Sequence, residues 1–295
     1  MKSILIIGQN GQVSTYLQRA LGAPYSVIVA GRQSMDLSQP AQIQAALDQF
    51  NPSLIINPAA YTAVDQAEQD REAAFTINRD AVSEIAAWCR AHNKPLIHYS
   101  TDYVFDGAAT EPYTEQDAAA PSGVYGQSKY EGEQAILRSG APAIILRTSW
   151  VYSNHGKNFY RTMLKLAETR NQLTVVGDQI GAPTYAGAIA QTTAELVDLI
   201  MQHGGIDERQ IGVYHLTCAG ETSWCEFARA IFEAHGVAVA VSAITTAEYP
   251  TPAKRPAYSV LSNAKLKQEF GLALPDWQQA LQQCVAEARF SEPES

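Results

Sequence analysis

Short, wholly apolar runs alternate with longer amphipathic stretches through the first half of the chain. Lys2-Ser3-Ile4-Leu5-Ile6-Ile7 is the first run, and without a polar side it reads as a parallel strand buried on both faces. A helical pattern follows, with Tyr16, Leu17, Ala20 and Leu21 on one side. Ser26-Val27-Ile28-Val29-Ala30 is a second strand, Leu54-Ile55-Ile56 a third and Leu96-Ile97-His98-Tyr99 a fourth. Ser38 is placed to cap the helix after the second strand, with Pro40 in its first turn, where a missing N–H does little harm. Ala73, Ile77, Val82, Ile85 and Ala86 mark a long helix leading to the fourth strand. Strand and helix alternating across short turns predict an α/β fold, a Rossmann-type doubly wound parallel sheet.

The second half is less regular. Asn158 to Leu166 has helical spacing, Val213-Tyr214-His215-Leu216 reads as a short strand, and Ser223 with Glu226 makes a capping box before another helix. Gly181-Ala182-Pro183-Thr184 reads as a loop, because Pro183 lacks an N–H and constrains Ala182. Residues 1–150 are expected to form one domain and 151–295 a smaller C-terminal lobe interleaved with elements that return to the core.

Candidate chemistry gathers at the strand ends. Gly8-Gln9-Asn10-Gly11-Gln12-Val13-Ser14 joins the first strand to the first helix. That order places backbone N–H groups and a helix N-terminus where a pyrophosphate binds, which makes 1–150 a dinucleotide-binding domain. Ser14 stands in for a third glycine and is small enough for close helix packing. The second strand ends Ala30-Gly31-Arg32, without the acidic residue that holds an unphosphorylated ribose. Arg32 suits a 2′-phosphate, so NADPH is favoured, with NADH and a merely solvent-facing Arg32 left open.

Tyr125 and Lys129, in Tyr-Gly-Gln-Ser-Lys, lie about one helical turn apart and project from the same face. A cation beside a phenol lowers its pKa from about 10, and the phenol can then donate a proton to an alkoxide and be regenerated. Thr101, in Ser100-Thr101-Asp102 at the end of the fourth strand, would hydrogen-bond the carbonyl; alone, this triplet reads better as a turn capping its own backbone, and Tyr125 downstream reverses that order. Together these groups describe a carbonyl reductase. Pro250, Pro252 and Pro256 stiffen a segment that presents Lys254 and Arg255, a candidate diphosphate contact or else a solvated turn.

Composition narrows the alternatives. A net charge of −9 over 295 residues argues against a nucleic-acid partner. No apolar run reaches the roughly 18 residues needed to span a bilayer, and the chain enters its first strand without a charged leader, so a cytoplasmic protein with no membrane partner is expected. Cys89, Cys218, Cys225 and Cys284 lack metal-type spacing and read as reduced structural thiols. His98 and His215 read as satisfied strand residues.

Several longer motifs, Asn57-Pro58-Ala59-Ala60-Tyr61-Thr62-Ala63-Val64-Asp65, Tyr99-Ser100-Thr101-Asp102-Tyr103-Val104-Phe105, Arg147-Thr148-Ser149-Trp150-Val151-Tyr152, Gly181-Ala182-Pro183-Thr184 and Pro250-Thr251-Pro252-Ala253-Lys254-Arg255-Pro256, carry a resemblance over nearly the whole length. The chain resembles the extended short-chain dehydrogenase/reductase superfamily and, more narrowly, the dTDP-4-dehydrorhamnose reductases. The resemblance implies reduction of the C4 ketone of dTDP-4-dehydro-L-rhamnose to dTDP-L-rhamnose, a sugar donor for cell-wall and lipopolysaccharide glycans. It implies Thr101, Tyr125 and Lys129 as the catalytic set. It further implies that Gly11, Gln12 and Val13 wrap the pyrophosphate, that Asp36 and Leu37 face the adenine side, and that Ala60, Tyr61 and Thr62 line the cofactor cleft with Tyr99 nearby and Tyr125 and Lys129 at its end, beside the Gly8 and Arg32 already read from the glycine turn and the second strand. Thr101, Asp102, Trp150 and Arg255 then meet the dTDP-linked 4-keto-6-deoxy sugar.

Some relatives depend on magnesium held by carboxylates near a subunit interface. Tyr16 and Gly187 occupy stretches where those groups would stand, so no ligand is assigned and magnesium is left open, as is a homodimer. Reduction of another nucleotide-linked 4-keto-deoxysugar, or a non-catalytic NADP-binding regulatory role, would share much of this pattern; an intact Thr101, Tyr125 and Lys129 set argues against the second.

Overall fold

The four strands expected in the first half form as β1 (Ser3–Ile7), β2 (Ser26–Ala30), β3 (Leu54–Asn57) and β4 (Leu96–Thr101), followed by β5 (Ala143–Thr148). The computed structural model describes residues 1–291, the last three by backbone alone; the end of the expected second lobe, 292–295, lies outside the described residues. The sheet order is β2-β1-β3-β4-β5, completed at the β5 edge by Gly212–His215 from the second half, and every pair is parallel.

Alternate residues of each strand supply opposite cores, which is why the runs show no polar side. Ile4, Ile6, Ile97, Tyr99, Ile144 and Leu146 face α1 (Gln12–Ala20) and the helix Ala186–Gln202. Leu5, Ile7, Ile55, Leu96 and Ile145 face the helices Ile43–Phe50 and Ala81–His92. The chain leaves β1 toward β2 and returns to β3 on the other side, so the crevice over the β1 and β3 ends is the topological switch point where such sheets bind ligands. All four cysteines are buried and free.

Two local expectations change. Ser38 makes no helix cap: its N–H donates to Asp36 Oδ1 at 2.9 Å in a side-chain turn, and a 3₁₀ turn, Pro40–Gln42, comes before the helix. Ser223 makes half of its capping box, accepting from the Glu226 N–H at 3.1 Å, while the Glu226 carboxylate is drawn away to Arg229.

The long helix before β4 widens to a π turn over Thr76–Asp80, between Arg71–Phe75 and Ala81–His92. Such turns recur at functional sites, and this one has a clear use. It presents Asn78, whose side chain accepts from the Tyr61 N–H (2.8 Å) and donates to the Tyr61 carbonyl (3.1 Å) and to Ser128 Oγ (3.0 Å). The helix Val124–Ser139 can press against this turn only because residue 132 is glycine: a Cβ there would stand 2.1 Å from the Asn78 carbonyl oxygen. Replacing Gly132 with Ala should therefore cost about 1–3 kcal/mol of stability, the usual scale of overpacking, read from urea or thermal unfolding. A variant as stable as the parent would mean the two helices have room to separate.

Candidate active site

The glycine turn after β1 is closed by its own side chains. Gly8 has φ +96, its N–H donates to the Ala30 carbonyl at 2.8 Å, and the Ser14 hydroxyl donates to the Gly8 carbonyl. Ser14 therefore clips the turn as well as packing small. Gly11 precedes α1 with no side-chain cap, leaving the first N–H groups of Gln12 and Val13 at a positive helix end. Arg32 stands at the end of β2, largely exposed, with Nε 3.8 Å from Asp36 Oδ1. Leu37 packs its side chain into the core, so on the adenosine side it has only backbone to offer. The loop after β3 brings Ala59 against Gly8, and Ala60, Tyr61 and Thr62 follow, with Tyr61 held by Asn78. The phenol of Tyr99 is taken by Thr193 at 2.6 Å, which leaves its carbonyl as the group facing the site.

The helix Val124–Ser139 carries Tyr125 and Lys129 to the end of β4. Gly126 allows this, since a Cβ there would sit 2.1 Å from the Tyr103 carbonyl oxygen. Lys129 is buried; its Nζ donates to the Tyr99 carbonyl at 2.6 Å and lies 3.3 Å from His98 Nε2. His98 is buried against Asn57 on its other nitrogen, 3.1 Å away, and burial with the neighbouring ammonium pushes its pKa well down, keeping it neutral. Burial also brings Lys129 down to about 8, against the opposing pull of Glu133.

Thr101 serves both readings. Its hydroxyl donates to Asp102 Oδ1 (2.9 Å) and accepts from the Tyr103 N–H (3.2 Å), capping the turn Asp102–Val104, while also facing the Tyr125 phenol. Asp102 is buried, which pushes its carboxyl up to about 6 despite the Thr101 hydroxyl. One expectation is corrected here. Tyr125 is not lowered by Lys129: burial, reinforced by Asp102, pushes it up to about 12, while the ammonium is spent on Tyr99 and His98. The phenol is therefore protonated at neutral pH, the form a proton donor needs.

A cleft of about 900 Å³ opens in the second half and reaches Asp65 and Tyr103 of the first, with Phe159, Met163, Gln179, Trp224 and Arg255 among its walls. Its floor is a second parallel pair, Gln172–Val176 with Ala240–Ile244. Arg255 donates from Nη2 to Asp65 Oδ2 at 2.6 Å, and its Nη1 is buried with no hydrogen-bond partner. Trp150 lies two residues past β5, whose Thr148 is in register with Thr101. Motif reading missed the seats of these groups, Asn78, Gly126 and Gly132, whose only signal was small or polar residues inside helical patterns.

Within this chain a magnesium site does not fit around Glu287. Tyr16 and Tyr185 both donate their phenols to the Glu287 carboxylate, which also accepts from Asn154 Nδ2 at 3.2 Å and Arg19 Nη1 at 2.6 Å. Burial pushes both phenols up, Glu287 adding to the effect, so they remain protonated donors. A hard cation needs several oxygen ligands with free lone pairs, whereas protonated phenols and a guanidinium offer none toward that carboxylate. Gly187 contributes no side chain, and among the described residues no three His, Cys, Asp or Glu are grouped to hold a metal ion.

A dinucleotide cradle, a Thr at the end of the fourth strand and a Tyr-x-x-x-Lys pair around one crevice define the short-chain dehydrogenase/reductase class of Rossmann-fold proteins. The chain belongs to the family described as the RmlD substrate binding domain, whose model matches residues 1–290. It is 44% identical over 290 residues to the dTDP-4-dehydrorhamnose reductase of Burkholderia thailandensis, covering 96% of this chain and 97% of that one. It is 40% identical over 295 residues to that of Escherichia coli, covering 97% of each. A crystal structure of the Bacillus anthracis dTDP-4-dehydrorhamnose reductase in complex with NADP superposes with a TM-score of 0.90 at 35% identity, covering 97% of this chain and 100% of that one.

Two measurements follow from the site. Since Lys129 must be charged to hold its contacts, kcat/KM should fall as pH rises through about 8; a profile flat to well above that value would remove Lys129 from the titrating group. Dialysis against a chelator should leave turnover and melting temperature unchanged, and recovery of lost activity by added magnesium would contradict the reading of the Glu287 cluster.

Proposed function

We propose that this protein reduces the C4 ketone of dTDP-4-dehydro-L-rhamnose with NADPH, giving dTDP-L-rhamnose in the cytoplasm. The observation that carries it is the meeting of Thr101, Tyr125 and Lys129 at the end of β4, in a chain matched to its family along almost its full length. NADPH is held by Gly8, Gly11, Gln12 and Val13 at the pyrophosphate and by Arg32 at the 2′-phosphate, and supplies the hydride that goes to C4.

The residues do the rest. Thr101 gives the substrate oxygen a hydroxyl partner, and Tyr125, protonated and facing Thr101, passes its proton to the forming alkoxide. An alkoxide is the stronger base, so the transfer runs downhill even from a phenol with a raised pKa. Lys129, seated on the Tyr99 carbonyl, offers its remaining N–H to ribose hydroxyls. Asp102 and Trp150 border the hexose. Arg255, fixed by Asp65 with one nitrogen unsatisfied, faces the diphosphate, and the apolar side of the cleft, Phe159 and Met163, suits a thymine base.

Tyr125→Phe should keep the fold and NADPH binding but lower kcat by about 10²–10⁴, because only the proton donor is removed. Near-normal turnover would reject the assignment, and NMR of the product formed by the parent enzyme from the 4-keto sugar checks the substrate. Arg255→Ala should weaken dTDP binding about tenfold or more while leaving NADPH affinity alone, as expected for loss of a charge-assisted hydrogen bond. Equal dTDP affinity in calorimetric titration would move the diphosphate elsewhere.

A further inference from the structure

The motif Gly181-Ala182-Pro183-Thr184 takes no part in the chemistry above, yet the structure builds it around Trp150. Among the described residues only three non-glycines have positive φ: Asn51, Asn93 and Trp150, the last at +46. The two asparagines end helices, where that conformation is common. A tryptophan has no such ease, so its surroundings must hold it. Ser149 Oγ donates to the Ala182 carbonyl at 3.1 Å, the Trp150 carbonyl accepts from the Thr184 N–H at 3.2 Å, and Val151–Tyr152 pairs in parallel with Thr184–Tyr185.

The indole itself is enclosed by two further residues. A Cβ at Gly181 would fall 2.4 Å from Trp150 Cε2 and 2.6 Å from Cζ2 and Nε1, so any side chain there displaces the ring. Trp224 stacks on the same indole, with ring centroids 3.5 Å apart and planes within 5°. Trp224 is itself fixed: it opens the helix capped by Ser223, Thr222–Ser223 pairs antiparallel with Ile180–Gly181, and Phe159 tilts against it at 4.6 Å. One short strand therefore supplies both the space for Trp150 and the anchor for the ring stacked upon it.

We propose that Gly181 and Trp224 are positioning residues that clamp the Trp150 indole as a rigid surface just past β5, whose end lies beside that of the strand carrying Thr101, so that they set affinity for the sugar half of the substrate. This rests on the reading of Trp150 as a substrate contact. The clamp removes the entropy of ordering a large side chain when substrate arrives, and a loosened indole would be felt in the sugar and not in the cofactor.

The test compares Gly181→Ala, Trp224→Ala, Trp224→Phe and Trp150→Phe in the full-length enzyme, using NADPH and the dTDP-linked 4-keto sugar. Gly181→Ala and Trp224→Ala should raise KM for the sugar about three- to tenfold, the scale of a lost aromatic contact, with NADPH affinity unchanged. Trp224→Phe, which keeps a stackable ring, should return KM to within about twofold of the parent. Near-ultraviolet circular dichroism from the fixed indoles should weaken in Gly181→Ala. The double variant Gly181→Ala with Trp150→Phe should be no worse than Trp150→Phe alone, because the smaller ring relieves the clash. A raised KM in Trp150→Phe with parental behaviour in Gly181→Ala and Trp224→Ala would overturn the clamp alone. An unchanged KM in Trp150→Phe would overturn the reading of Trp150 as a substrate contact, and the proposal with it.

Discussion

A buried ammonium pins the catalytic helix to the sheet. Removing a lysine from water costs several kcal/mol unless hydrogen bonds replace the lost solvation, and the Tyr99 carbonyl at 2.6 Å makes the principal replacement. That bond fixes the helix Val124–Ser139 along β4, and a second tie extends the hold: Glu133, one turn further on, takes Arg147 of β5 in a buried bidentate pair at 2.9 and 2.6 Å. With both ties made, Tyr125 can only emerge beside Thr101. The glycines at 126 and 132 are consequences of this closeness, because the helix meets backbone oxygen on two sides and leaves no volume for a methyl group.

The two halves of the chain are coupled through polar side chains that each serve both. Gln12, at the start of α1, accepts from Ser153 Oγ (2.8 Å) and Asn158 Nδ2 (2.7 Å), joining the glycine turn to the segment that opens the second half. Asp65, in the short helix Val64–Ala67 that follows β3, holds both Arg255 and the Ala253 N–H (3.2 Å) of the proline-rich segment. A hydride acceptor and donor must approach closely and in a fixed orientation, and ties at Gln12 and at Asp65 hold the second half against the first in that sense.

Much of this was legible because it follows from period and from glycine. Apolar runs such as Ile4 to Ile7, lacking alternation, required burial on both faces and hence a parallel sheet between two helical layers. The shared helix of Tyr125 and Lys129 was legible from spacing, and Gly8 from the turn it permits. What escaped were the contacts made across long sequence separations. Asn78 lies within an ordinary helical pattern, and nothing in its neighbourhood reveals a π turn aimed at Tyr61 and Ser128. Ser38 misled because Asp36, two residues earlier, claims its N–H first. Lys129 was expected beside the Tyr125 phenol, a matter of side-chain direction that spacing along a helix cannot decide.

Protonation states complete the logic of the site. Burial acts on Tyr125 and Lys129 in opposite senses, lifting the phenol to about 12 and lowering the ammonium to about 8. Below about 8 both groups are therefore protonated, and a neutral phenol is the form that can pass a proton to an alkoxide. Asp102 sharpens the same bias: its carboxylate disfavours a resting phenolate next to it, so the negative charge on Tyr125 arises only when a proton has been delivered. The charge then created faces the Thr101 hydroxyl, the one neighbour that favours it, and that partner is in place before the reaction begins.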